Sequence, residues 1–390
     1  MKQYICVMRI SLLLTTVASC NNISKNSKDE TNEAVQTITF DKTSVLNRSQ
    51  LTDEVRFVPL EVTDESMFSE VSQLNIIGEE IFLFDIRLGK LIVFDKNGTF
   101  KRVLERKGQG PGEYSFSMSF SASLENDKIY LVDVDNKLIC YELDSFQYLY
   151  EKKGVGGINV FALSDETFVW FNYTVLSIGN ESYKFHIITT DNEMNVISKS
   201  IPIPFESGYL MSPVYRFYTC NLDLYVFPPF DNVIYKYANN RFQPYYSIEY
   251  GRYSVPPLDF LSEGGEGNPY LNRLVKSDYV SFAQPFENDS FLLMSYFVRE
   301  IKHLGIYNKI SKKSFNMKFD SLEDKHNFLY HIHGVDETSF ISCMNFEDLK
   351  KDRFCDKEKS FIELCKNNQI SDDAPILIFF RFNNEIVESE

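Results

Sequence analysis

Few residues in this chain combine types and spacing that could do chemistry. His331-Ile-His333 places two imidazoles two residues apart, and alternate residues of a strand point the same way. Such a pair could ligate a divalent ion if another part of the chain supplied a third ligand, because two ligands do not make a site. The bland reading is a packed or surface strand pair, and only three other histidines exist: His186, His303 and His326. Asp85 and Asp133 close two similar apolar runs, Ile81 to Asp85 and Ile129 to Asp133. A ring of acids at a channel mouth would favour a cation, but Asp at a strand end more often caps the next turn through backbone N–H groups. Lys107 to Tyr114, Lys-Gly-Gln-Gly-Pro-Gly-Glu-Tyr, is rich in glycine like loops that cradle phosphate, yet no Gly-Lys-Ser/Thr follows. Gly108, Gly110, Pro111 and Gly112 predict a tight connection, with Glu113 ordering its own loop beside Tyr114. No Ser-His-Asp order, Gly-x-Ser-x-Gly elbow or His-Glu-x-x-His helix is present. Catalytic residues are therefore unassigned.

The elements around these residues are short strands. Ile81 to Asp85, Leu91 to Asp95 and Phe100 to Leu104 form a meander with a hairpin signal at Asn97-Gly98. The order returns at Lys128 to Asp133, Leu138 to Leu143 and Tyr148 to Lys152, and the shift from 85 to 133 is 48 residues, a propeller-blade period. Further units are expected at Val160 to Lys199, Leu222 to Tyr250, Tyr279 to Phe315, and from Phe328 to Phe382. The last begins with a strand over Phe328 to His333 and is interrupted by a charged, helix-prone stretch from Phe346 to Gln369. That unit is one strand short. Val55 to Val62 carries Pro59, which lacks a ladder donor and suits an edge, so this N-terminal strand is expected to complete it and close the ring. The stretch from Val255 to Asn272, with three glycines, three prolines and three acids, is expected to be a mobile loop over one face. The fold expected is all-β, a single six-bladed β-propeller of four-stranded antiparallel blades over residues 37–390, with a small helical insertion in the last blade.

The first residues read as an address. Lys2 and Arg9 precede a short apolar run, Ile10 to Val17, and Val17-Ala-Ser-Cys20 resembles a bacterial lipobox. Residues 1–19 would then be a lipoprotein signal peptide, Cys20 the lipidated residue, and 20–36 a polar tether. Lys28-Asp-Glu30 is similar to signals that send some lipoproteins to the cell surface. Net charge is −15, and loss of Lys2 and Arg9 with the signal would make it −17, a surface that repels phosphate backbones and excludes nucleic acid as a partner. Of the remaining cysteines, Cys140 and Cys220 lie in apolar runs as inert thiols, while Cys355 and Cys365 are close enough to pair in an oxidising compartment.

From Gly108-Gln-Gly-Pro-Gly-Glu-Tyr114 through the strands that follow, together with the lipobox, the late helical insertion and Ala374-Pro-Ile-Leu377, the chain resembles the NHL-like six-bladed β-propeller lipoproteins of anaerobic gut bacteria. The resemblance implies the fold and a cell-envelope location, lipid-anchored at the outer membrane and facing the periplasm or the surface. It brings no catalytic residues. NHL-type propellers mostly bind proteins, peptides or glycans, and some related rings hold a channel metal and act as lyases or lactonases. The first expectation is thus a non-enzymatic, monomeric binding module without cofactor, touching the membrane through its lipid alone. The alternative is a metal-dependent hydrolase or lyase with its site in the central channel and His331 and His333 among the ligands. Abundant Tyr and Phe suit core packing between blades, with a few free to stack on sugars or peptides.

Overall fold

The computed structural model describes residues 35–42, 52–173, 175–178, 181–204, 215–262, 268–321, 323–351, 356–367 and 369–383. Cys20, the signal and tether before residue 35, and Cys355 lie outside them. Residues 35–390 form one compact unit.

Six antiparallel four-stranded sheets follow one another along the chain, each running from an inner to an outer strand. Blade 1 spans Gln73–Ile77, Glu80–Asp85, Lys90–Asp95 and Phe100–Leu104. Blade 2 repeats it with Ser117–Ser123, Lys128–Asp133, Lys137–Glu142 and Tyr148–Lys153. Blade 3 runs from Asn159–Ser164 to Val196–Pro202 and carries an extra hairpin, Leu176–Ile178 with Glu181–Tyr183. Blade 4 runs from Phe217–Cys220 to Arg241–Glu249, and blade 5 from Ser281–Glu287 to Ser314–Phe319.

Blade 6 takes its strands from both parts of the chain. Ile332–Val335, Phe340–Asn345 and Pro375–Phe382 come late, and the outer strand is Thr52–Pro59, antiparallel to Pro375–Phe382. Pro59 ends that strand opposite Ile376, where its missing N–H costs no ladder bond on an edge. The seam is then fastened to blade 1: Glu61 N donates to Gly98 O at 2.8 Å. Gly98 sits at φ +86°, and a Cβ there would come within 2.1 Å of Pro59 O. The Asn97-Gly98 hairpin therefore needs glycine twice, for its turn and for the close approach of the closing strand.

The core lies between blades, and strand alternation explains it. In Glu80–Asp85, Phe82 and Phe84 pack towards blade 2 with Phe120, Ile129 and Leu131, while Ile81 and Leu83 pack towards blade 6 with Val58, Ile341 and Leu377. Both faces of the middle strands are buried, so their sequences read as continuous apolar runs.

Several local expectations are corrected. Phe328–His331 is a 3-10 helix, capped by Asn327, and the blade 6 inner strand starts only at Ile332. The stretch over 255–272 is not simply a loop: its described residues include the helices Leu258–Ser262 and Asn268–Lys276, with Leu261 and Leu274 buried against blades 3 and 4. The insertion in blade 6 is helical as expected, Phe346–Lys351 and Asp356–Asn367. One element had no sequence signal. Gln36–Thr39 adds a parallel fifth strand to the outer edge of blade 4, and Phe40 buries its ring against Gly305 of blade 5.

Candidate functional site

The crossings from one blade's outer strand to the next blade's inner strand lie on one face of the ring, together with the C-terminal ends of the second strands. Two crossings bring the sequence-predicted residues into place. From blade 1 to blade 2 runs Glu105 to Phe116. Glu113 folds back so that its Oε2 accepts from Gly110 N at 2.8 Å, and Gly112 takes φ +70° with its α-carbon against the Tyr148 ring. The Tyr114 hydroxyl is buried and donates to Gly89 O at 2.7 Å; burial pushes it up to about 12. Asp133, buried at the end of its strand, accepts from Ser115 N at 3.1 Å and Phe116 N at 3.0 Å.

The crossing from blade 6 to blade 1, Leu60 to Ser72, repeats this anchor. Asp85 accepts from Ser69 N at 2.5 Å, Ser69 Oγ at 2.8 Å, Glu70 N at 3.2 Å and Leu88 N at 2.9 Å. Both carboxylates thus cap turns and crossings, because four or so charge-assisted bonds offset the cost of burying each. Neither is free to hold a cation.

The second crossing borders a cleft. A cavity of about 950 Å³ opens between blades 5 and 6 and the segment Val62 to Ser72. Its apolar wall includes Met67, Phe68, Phe282 and Phe297, and Phe282 and Met67 are exposed at its mouth. Gln284 and Ser295 of blade 5 and Asn345 of blade 6 supply polar groups. Lys302, in the third strand of blade 5 (Ile301–Asn308), reaches across to donate to Tyr330 O. Its ammonium lies 4.5 Å from the Tyr330 ring centroid and 5.7 Å from that of Phe297. Burial lowers its pKa to about 8, still cationic at neutral pH.

His333 lines this cleft and His331 does not. The two histidines fall in different elements: His331 ends the 3-10 helix, where its Nε2 lies 2.6 Å from Lys325 O, while His333 is the second residue of the blade 6 inner strand, at its irregularity between Ile332 and Gly334. Burial first, then the neighbouring His331 and Lys302, push His333 down to about 3, and burial also lowers His331. Among the described residues no three His, Cys, Asp or Glu side chains converge as a metal-ligand set. Cys343 also lines the cleft, but burial pushes its thiol up to about 12, so it is a poor nucleophile. Cys140 and Cys220 are buried thiols pushed up to about 11, again chiefly by burial. Cys365 is a buried thiol of the blade 6 core.

Sequence reasoning missed Lys302, Phe282 and Phe297. Lys302 follows a tight turn in an otherwise apolar hairpin, a position that reads from sequence as an exposed strand start.

Comparison with solved structures supports this architecture. A Bacteroides fragilis NCTC 9343 protein described as exported (BF0058) superposes with a TM-score of 0.77 at 25% identity, over 89% of this chain and 100% of that one. A member of the duf4221 family from Bacteroides vulgatus ATCC 8482 gives a TM-score of 0.54 at 12% identity, over 85% of this chain and 97% of that one, a likeness of fold alone. No functionally curated protein matches the sequence. The family model described as 6-bladed beta-propeller, DUF5128, matches residues 25–369. With its six closed four-stranded blades, the chain belongs to that family.

Proposed function

We propose that this protein is an exported, lipid-anchored envelope propeller of the NHL-like kind, and that it binds a protein, peptide or glycan on the ring face bearing the cleft. The cleft is the observation that carries the reading: about 950 Å³, aromatic-walled, with a few polar groups and one buried cation. That is the make-up of a binding site at the upper end of the usual size. Binding without catalysis is favoured because burial holds the cleft's thiol protonated and makes its histidine a weak base, while its lysine is engaged with a carbonyl. Export is supported by the description of the Bacteroides fragilis relative, and lipid anchoring by Val17-Ala-Ser-Cys20. No helix among the described residues is long and apolar enough to cross a membrane, so the lipid on Cys20 is the proposed anchor, on the periplasmic or surface side of the outer membrane. The protein acts as a monomer without cofactor, and its acidity keeps nucleic acid away.

Two measurements test this. Cys20→Ala should move the protein from the membrane to the soluble fraction, and continued membrane attachment would remove the anchor from the reading. Peptide and glycan arrays probed with the wild type and with Gln284→Trp, which fills the cleft, should give hits that the variant loses; hits untouched by Gln284→Trp place the ligand elsewhere.

A further inference from the structure

The cleft has one feature that points to the chemistry of its ligand. Lys90, Lys128, Lys236 and Lys309 are half-buried, and each faces a carboxylate: Glu105 at 3.2 Å, Asp165, Asp223 at 2.6 Å and Glu287 at 2.8 Å. Lys302 is as buried and, among the described residues, pairs with no carboxylate. It gives one N–H to Tyr330 O and otherwise lies against ring faces. An ammonium has three donors, so two remain for a ligand, in a chain whose net charge is −15. Removing a cation from water without an acidic partner is costly, and such arrangements recur where a site is made to meet an anion.

The rest of the cleft narrows the anion's class. Phe297 offers apolar surface beside the ammonium and Phe68 and Phe282 further apolar surface in the same cleft, while Gln284, Ser295 and Asn345 offer amide and hydroxyl groups suited to main-chain N–H and C=O. The volume holds several residues, and the mouth is open at Met67 and Phe282. We propose that the cleft captures the C-terminal end of an apolar-ended peptide, with Lys302 as the specificity-determining residue that receives the terminal carboxylate. This rests on the cleft being the binding site proposed above. Neutral His333 adds no second positive charge. The lining's two carboxylates, Glu70 and Asp373, are exposed to water, and Glu70 accepts from Ser72 Oγ, so Lys302 is the charge inside the cleft. Asp85, by holding Ser69 and Glu70, fixes the opposite wall.

The test compares a fluorescent tetrapeptide ending in phenylalanine-leucine as free acid with the same peptide as C-terminal amide, titrated by anisotropy. The free acid should bind the wild type at least tenfold more tightly. Lys302→Met should bring the two to equal affinity, and Lys302→Arg should restore a preference for the acid; melting curves of each variant report folding separately. Equal binding of acid and amide by the wild type, no binding of either, or a preference that survives in Lys302→Met would overturn the proposal. So would displacement of the peptide by hexanoate at equal concentration, since the seat would then be one for free organic acids. If acid and amide bind equally and Gln284→Trp abolishes both, the cleft remains the binding site and only the carboxylate assignment falls.

Discussion

The crossings into blades 1 and 2 are built on one plan and do different work. Each ends in a serine and a following residue whose N–H groups are held by a buried aspartate, Asp85 in one case and Asp133 in the other. Between blades 1 and 2 the loop then folds on itself, with Glu113 filling the space that its glycines leave. Between blades 6 and 1 the loop has no such filling, and Phe68 to Ser72 instead wall a cleft. A conserved plan in the physical sense, the same anchor used twice, thus yields a packed joint where the loop's own side chain occupies the centre and a binding site where it does not.

The largest effect should come from closing the packed joint too tightly. Gly112→Val places a branched side chain at φ +70° and within 2.5 Å of the Tyr148 ring, and should cost about 3 kcal/mol or more in urea unfolding. Gly110→Val, whose Cβ would meet only the movable Glu113 carboxylate at 3.1 Å, should cost far less, about 1 kcal/mol. Equal losses at the two positions would break the account of the loop.

Next come the two anchors. Asp85→Ala and Asp133→Ala each remove a buried acceptor from several part-buried N–H groups and should each cost about 2–4 kcal/mol. Their effects on ligand should differ: Asp85→Ala loosens the cleft wall and weakens binding severalfold, while Asp133→Ala leaves affinity unchanged. A shared loss of affinity would erase the distinction between the crossings.

Lys302 should give a smaller effect with a diagnostic sign. Its folded-state pKa, near 8, lies below the ordinary 10.5, so between these values the unfolded chain binds more protons and stability rises with pH. The His331 and His333 rings facing it are already neutral there. Lys302→Met should flatten that slope and raise the melting temperature at pH 7, the behaviour of a residue kept for binding at a cost in stability. The smallest expected effect is at the thiols: Cys140 and Cys220, with thiolate formation pushed up to about 11, should resist alkylation at pH 7.5 until the protein unfolds.

Much of the ring was readable because its logic is local. Middle strands buried on both faces must be apolar throughout, as in Ile81 to Phe84 and Ile129 to Val132, and Asn97-Gly98 is a turn by its own chemistry. Pro59 marks an edge because it cannot donate, and strand counting then assigns it to the last blade. Phe328 to His333 misled because an apolar run of four to six residues suits a strand or a helical turn equally, and Asn327 capping Leu329 N decided for the turn. Gln36–Thr39 was hidden because its partner lies over two hundred residues away.

The candidate site belongs to the other kind of information. Residues 62–72, 282–302, 332–345 and 371–375 each look like ordinary strand ends or crossings, and nothing in their spacing links them. Only ring closure sets blade 6 beside both blade 5 and blade 1, so that Lys302 meets Tyr330 and the Asp85-held crossing faces them. Sequence alone determined the blades, since alternation and turn chemistry act over a few residues. Tertiary structure decided the cleft, since a concave surface and an unpaired cation arise only where distant strand ends converge.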